Sequence, residues 1–318
     1  MTHKFIRNGD KMANKGGNKI NPMHSPAFVK YFKFSLIAIV FLAALFIFLT
    51  IKKSNDINYE NVKFVQYEDY SDDMDVVVYE TTMGTFKAVL FEKEAPDYVK
   101  YYKKLVEKGY YNDTYVFGIV TGNEDESKGD HLYFTGGAKK ADGKTTDDTN
   151  TETIDPEISP NMWTFKGALG SFVGTKGILF WKKNVAGSSV MFFGNTVTSD
   201  EKREQVKKND KIDASLKSIY NELSDKMCSY GGVPEASQQY TVFGQVCDGW
   251  ETYNKILTAE VIDIDDEKYQ PIDEIKFTKV YLTTWGEIKS VAEGPVDPTV
   301  ADEGQEESSQ ENTQAKSE

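Results

Sequence analysis

The three histidines and two cysteines of this 318-residue chain are the first places to look for chemistry, and their spacing offers little. His3 and His24 precede a long apolar run and His131 stands alone beyond it. Neither a histidine-based metal cluster nor a Ser-His-Asp arrangement can assemble from that distribution. Asp263, Asp265 and Asp266 resemble a calcium loop superficially, but the glycine and closing glutamate of such a loop are absent, and the run reads as a solvated turn. No glycine-rich phosphate loop is present. Cys228 and Cys247 can form a disulfide in an oxidising compartment; two buried thiols are the other reading, and geometry decides between them.

The segment between those cysteines carries more. Tyr230 to Val246 reads YGGVPEASQQYTVFGQV. Gly231 and Gly232 permit backbone angles closed to other residues, and Pro234 fixes the exit of the turn. Tyr240 to Val246 then alternates as a half-buried strand, with Gly244 marking a bulge or a close backbone approach. A polar loop feeding such a strand can wall a binding pocket.

Other elements must position that wall. Met74 to Phe91 reads as a hairpin, with Val76 to Tyr79 as one arm, Met83-Gly84 at the turn and Thr85 to Phe91 returning. A helix follows. Pro96 suits its first turn, Asp97 its positive end and Gly109 its stop, while Val99, Tyr102, Leu105 and Val106 recur at helical spacing. Tyr110 to Val120 reads as a strand entered by an Asn-Asp turn, and Ile272 to Leu282 alternates as a closing strand. Thr121 to His131 and Ala138 to Asp155 read as surface loops. Asp200 to Met227 reads as a charged helical insertion with Ile212, Leu216, Ile219, Tyr220 and Leu223 on one face.

Charge divides the chain. Residues 1–33 hold seven basic residues against one acid, so the net charge of −13 conceals a strongly acidic remainder. An acidic domain of that kind is a poor partner for nucleic acid, whose phosphates need clustered Lys and Arg. Phe34 to Ile51 is uncharged and almost wholly apolar, at the short end of what spans a bilayer. Thr50-Ile51-Lys52-Lys53-Ser54 supplies no small-x-small cleavage site and no cysteine follows for lipidation, so the run reads as a retained membrane anchor rather than a removed signal. The basic excess places 1–33 in the cytoplasm and 54–318 outside. The expected organisation is a basic tail (1–33), a transmembrane helix (34–51), a spacer (52–73), one domain (74–287, with the insertion near 200–227) and an acidic disordered tail (288–318).

Met83-Gly84-Thr85, Ala95-Pro96, Gly109-Tyr110-Tyr111, Leu132–Gly137 (LYFTGG), Lys166–Leu169 (KGAL), Ala186–Phe193 (AGSSVMFF) and the Gly-Gly-x-Pro segment occur in one order. That ordered set, from about Met74 to about Leu282, resembles the cyclophilin-type peptidyl-prolyl cis-trans isomerases, bacterial ones in particular. The resemblance implies a mainly β fold, a closed antiparallel β-barrel with flanking α-helices, here preceded by the transmembrane helix. It also implies an activity. Rotation about an Xaa-Pro bond faces a barrier of roughly 20 kcal/mol from amide resonance. A catalyst needs an apolar pocket for the proline ring and a fixed hydrogen-bond donor, ideally a cation, for the twisted amide. No nucleophile, metal or cofactor is required.

Aligned through Tyr111, the family's catalytic arginine falls on Gly118 and its strand glutamine on Thr135. The pocket Phe and Met fall on Leu132 and Tyr133. The Met-Ala-Asn-Ala segment falls on Ser171-Phe172-Val173-Gly174, so the peptide-binding Asn is lost at Val173. The Trp and Leu of the wall loop become Glu235 and Ala236, and the pocket His becomes Tyr240. The Gln-Phe-Phe segment aligns ambiguously over Ser189 to Phe192, with Met191 assigned to the groove. The resemblance thus implies a groove for proline-containing segments of exported polypeptides, with catalysis weakened by the missing arginine. Lys176, Lys182 or Lys183 could bring a cation from another loop. The alternative is a barrel that has lost the chemistry and serves as a binding, chaperone-like or scaffolding module.

Overall fold

The computed structural model describes residues 57, 59, 61–121, 131–143, 152–176, 183–196, 217–265 and 268–299. Eight strands close into an antiparallel barrel: β1 (Asp75–Thr81), β2 (Gly84–Leu90), β3 (Thr114–Thr121), β4 (His131–Ala138), β5 (Ala168–Lys176), β6 (Lys183–Asn195), β7 (Val242–Asp248) and β10 (Lys276–Thr284). Their order around the barrel is β1-β10-β3-β4-β6-β5-β7-β2. β8 (Val261–Asp265) and β9 (Lys268–Pro271) form a separate hairpin.

Successive strand residues point to opposite faces, and that alternation sorts the apolar residues into two clusters. Tyr79, Phe86, Phe134, Phe192 and Phe277 belong to the first, the barrel interior. Phe134 and Phe192 stack with centroids 4.5 Å apart, and Phe192 meets Tyr79 edge to face at 5.3 Å. A Cβ at Gly136 would lie 2.5 Å from the Phe277 ring, so the glycine makes room for that ring. Val76, Val89, Ala168, Met191 and Phe193 form the second cluster on the outward face.

Two helices complete the interior core. α1 (Pro96–Glu107) contributes Tyr98, Val99, Tyr102 and Leu105, and α2 (Lys217–Tyr230) lies elsewhere, while α3 (Trp250–Leu257) contributes Trp250, Tyr253 and Ile256. Both core helices begin without a side-chain cap of their own. Carboxylates from distant loops accept the exposed N–H groups instead: Tyr98 N donates to Glu157 Oε2 at 2.8 Å, and Trp250 N to Glu293 Oε2 at 3.0 Å. A negative group at that end is also favoured by the helix dipole. A short α4 (Trp285–Ile288) follows β10.

The hairpin and α1 lie where the sequence places them. β3 begins later, at Thr114 rather than Tyr110, because Asp113 takes a left-handed backbone (φ 58°) that ends a turn. Tyr111 is buried within that turn and donates its hydroxyl to Ser188 O at 2.8 Å. β10 likewise starts at Lys276, not Ile272. The run Phe34 to Ile51 lies outside the described residues. Among those described, no helix is long and apolar enough to cross a membrane. Only the end of the 200–227 insertion is described, as part of α2.

The two segments flanking the barrel are packed rather than loose. In the stretch read as a spacer, Tyr59 and Phe64 join Trp163, Phe165 and α2 residues Ile219, Leu223 and Met227 in a third cluster. Gln66 is fully buried: its Oε1 accepts from Trp163 N at 2.8 Å, and its Nε2 donates to Gln245 Oε1 at 2.8 Å. In the stretch read as a disordered tail, residues up to 299 return to the barrel. Gln245 Nε2 donates to Lys166 O at 2.8 Å and to Pro295 O at 3.3 Å. Lys166 Nζ lies 2.6 Å from the fully buried carboxylate of Asp297. Polar composition suggested solvated chain at both ends, but a few buried polar residues with long-range partners hold them down.

Candidate active site

Residues directly opposite one another on paired strands share a face. One such row runs Gly118–Thr135–Met191–Gly170–Val242 across β3, β4, β6, β5 and β7. The next runs Val120–Tyr133–Phe193. Both rows lie on the outward face, with Phe134 and Phe192 turned to the interior between them. Phe193 is fully buried, its ring 6.3 Å from that of Tyr133 and 5.8 Å from that of Tyr240. A Cβ at Gly170 would lie 2.7 Å from Phe193 Cε2, so the glycine lets the ring lie close against β5. Met191, Phe193 and Val242 form a buried apolar base, and half-buried Tyr133, Ala236 and Tyr240 pack against it and reach the surface.

The wall is the loop leading into β7. Gly231 turns it with φ at 78°, a region that favours glycine. Hydrogen bonds then fix it to three other segments. Val233 N donates to Thr164 O at 2.9 Å, Gly232 N to Asn195 Oδ1 at 3.0 Å, and Gln238 Nε2 to Met162 O at 3.0 Å. Tyr59, in the segment before the barrel, donates its hydroxyl to Gln238 Oε1 at 3.1 Å. Gly244 approaches its neighbours closely, with a Cβ there falling 3.1 Å from Val89 O.

Polar groups on this face are few. Gly118 provides no side chain, and the Thr135 hydroxyl donates to Gly118 O at 3.3 Å. Burial first, and then the neighbouring Tyr240, raise the Tyr133 phenol above its ordinary value, so it stays protonated at neutral pH. Lys182 lies outside the described residues, and the side chains of Lys176 and Lys183 are outside the described part as well. Among the described residues no group of three His, Cys, Asp or Glu could hold a metal ion.

The structure therefore brings together most of the expected groove and redistributes the rest. Thr135 and Met191 lie in one cross-strand row with Gly118, and Ala236 and Tyr240 pack against the cluster that holds Met191. Phe172 is 46% exposed on β5, on the same strand as Gly170. Val173 pairs with Ala186 along the backbone and Glu235 sits in the turn Pro234–Ala236, their side chains outside the described part. Leu132 is a correction: one residue before Tyr133, alternation turns it to the Phe134 face, away from the groove. Phe193 is the residue that sequence reasoning missed. The ambiguity at Ser189 to Phe192 hid it, and the pairing of Tyr133 with Phe193 resolves it.

The cysteines are not joined. Cys247 lies on β7 in the outward cluster, whereas Cys228 lies on α2 against the Phe64–Trp163 cluster, so the two side chains enter different cores. Burial, with a contribution from Asp248, pushes the Cys247 thiol up to about 12. A separate cleft of about 630 Å³ lies between the segment before the barrel and the β2–α1 corner, lined by Glu68, Asp73, Glu92, Tyr70 and Phe91 among others.

The family model described as cyclophilin type peptidyl-prolyl cis-trans isomerase/CLD matches residues 76–281, more than half of the chain. The chain belongs to the cyclophilin-type peptidyl-prolyl cis-trans isomerase family. A crystal structure of a cyclophilin-type peptidyl-prolyl cis-trans isomerase from Cryptosporidium parvum is similar at 21% identity, with a TM-score of 0.45, covering 66% of this chain and 98% of that one. The same Cryptosporidium parvum protein crystallised in the presence of the dipeptide Ala-Pro is similar at 20% identity and a TM-score of 0.44, covering 65% and 98%. No curated protein matches the chain. Within this cyclophilin-type domain, the matched range contains the whole barrel wall of the groove but neither Gln66 nor Asp297.

Proposed function

We propose that this protein is a membrane-anchored isomerase whose barrel lies outside the cytoplasm and acts on Xaa-Pro bonds in exported polypeptides. Family membership supports the reaction type. The observation that carries the reading is the apolar floor of Phe193 and Met191 on the outward barrel face, flanked by Tyr133 and Tyr240 and walled by the 231–241 loop. Phe193 and Met191 are themselves buried, and the half-buried Tyr133, Ala236 and Tyr240 packed against them present the apolar surface on which a proline ring can rest. The apolar run Phe34 to Ile51 and the basic residues before it support the anchor and the orientation.

Catalysis is expected to be weak. With Gly118 at the arginine position, loss of a preorganised donor costs on the order of 100- to 1,000-fold in rate. A second reading follows from the same residue: Gly118 and the Thr135–Gly118 hydrogen bond suit a module that binds proline segments without accelerating their isomerisation. Exchange NMR of a short Ala-Pro peptide with the detergent-solubilised full chain separates the two. Acceleration removed by a competing proline ligand supports the isomerase. Binding without acceleration supports the second reading, and neither binding nor acceleration rejects both.

A further inference from the structure

The face that lacks an arginine is not without donors. Among the described residues most large buried phenols are satisfied internally, Tyr67 excepted. Tyr98 donates to Gly187 O at 2.8 Å, Tyr111 to Ser188 O at 2.8 Å and Tyr253 to Phe193 O at 2.7 Å, while Tyr79 and Tyr102 bond each other. Tyr133 and Tyr240 differ. Both are half-buried, both belong to the outward cluster, and neither hydroxyl makes a hydrogen bond among the described residues. Their rings stand 6.3 Å and 5.8 Å from the Phe193 ring, one on β4 and one on the wall loop. Phe193 is buried beneath them, so a proline ring on this face would lie against the two tyrosines, whose hydroxyls have no partner among the described residues.

We infer that the Tyr133 and Tyr240 hydroxyls supply the hydrogen-bond donors that the missing arginine would otherwise provide, and so are the catalytic groups of this site. The inference rests on the isomerase reading above. The chemistry makes and breaks no covalent bond. In the planar amide the prolyl nitrogen lone pair is delocalised and accepts poorly. As the C–N bond twists, the nitrogen pyramidalises and regains a lone pair that a fixed O–H can meet, while the phenol keeps its proton throughout. A donor that bonds better to the twisted state than to either planar isomer lowers the barrier. A neutral phenol is a weaker donor than a guanidinium, so the acceleration should fall below that of an arginine-bearing site. The Thr135 hydroxyl does not compete for the role, because it already donates to Gly118 O.

The test uses the full chain in detergent and an Ala-Pro peptide, comparing wild type with Tyr133→Phe, Tyr240→Phe and the double variant. Each change removes one hydroxyl and keeps the ring, and thermal melting reports whether the fold is retained. The double variant is expected to lose roughly 10- to 100-fold of kcat with KM changed by less than about threefold, since the donors act on the twisted state alone. At least one single variant should lose a measurable part of that. Unchanged kcat in the double variant overturns the inference while leaving the isomerase reading intact. A loss appearing only in KM also overturns it, because that is the mark of ring packing and not of donation. A wild-type chain that fails to accelerate the peptide removes the isomerase reading and the inference with it.

Discussion

Replacing Asp297 by alanine should destabilise the protein more than any surface substitution, although the residue lies outside the family-matched range. Its carboxylate is fully buried and lies 2.6 Å from Lys166 Nζ, whose own side chain is only 10% exposed. It also accepts from Asn254 Nδ2 at 2.8 Å and from Thr299 N at 2.9 Å. Alanine leaves a buried ammonium and two N–H donors without their acceptor. Removing one partner of a buried pair costs about 3–5 kcal/mol. For a domain of this size that corresponds to roughly 6–20 °C of melting temperature. The double change Lys166→Met with Asp297→Leu removes both charges and should recover most of the loss. Burial alone would raise the Asp297 carboxyl, but the Lys166 charge and hydrogen bond, with Asn254 and Thr299, hold it below its ordinary value. A depressed carboxyl stabilises the fold fully above its unfolded-state pKa, near ~3.9, and that contribution is lost as pH falls through the lower folded-state value. The gap between wild type and Asp297→Ala should therefore narrow below about pH 4. Circular dichroism melts of the full chain at pH 7 and pH 3 read both effects. A single variant that melts with wild type at pH 7, or a double variant no better than the single, would refute the reasoning.

Three further outcomes follow from the groove and the core. Gly170→Ala places a Cβ 2.7 Å from Phe193 Cε2, so the floor ring must move; a cost of about 1–3 kcal/mol in melting is expected, with weaker binding of a proline peptide by titration. Gly118→Arg puts a cation on the groove row beside Thr135 and Met191 and should raise the isomerisation rate by roughly 100- to 1,000-fold in exchange NMR; a folded variant with an unchanged rate would mean the peptide is not held there. In denaturant without reductant both cysteines should react with a thiol reagent, whereas in the native state Cys247 should stay protected by burial and by its thiol at about 12. Failure of both to react after unfolding would show a disulfide.

Much of the fold was legible because strand order follows local signals. Met83-Gly84 marks the hairpin turn, Pro96 and Gly109 bound α1, and the Gly-Gly-x-Pro segment announces β7. The packed flanks were illegible for a physical reason. Gln66 and Asp297 sit in polar runs, and nothing local shows that Gln245 and Lys166 wait for them across the barrel. Helix α3 was missed similarly, since its N-terminus is capped by Glu293 from beyond the closing strand. In the candidate site, the resemblance points to Gly118, Thr135 and Tyr240, but register alone decides between neighbours. One step of alternation separates Tyr133 from Leu132 and Phe193 from Phe192.

The most direct test is where a proline ring rests when the peptide is bound. Intermolecular NOEs can be sought between the proline ring protons of an Ala-Pro peptide and selectively labelled Phe and Tyr rings of the full chain. NOEs to Tyr133 and Tyr240, weakened in a Phe193→Leu variant that removes the buried ring they pack near, are the expected result. NOEs that map instead to Tyr70 and Phe91 in the acidic cleft, or none at saturating peptide, would contradict a proline groove on the outward barrel face.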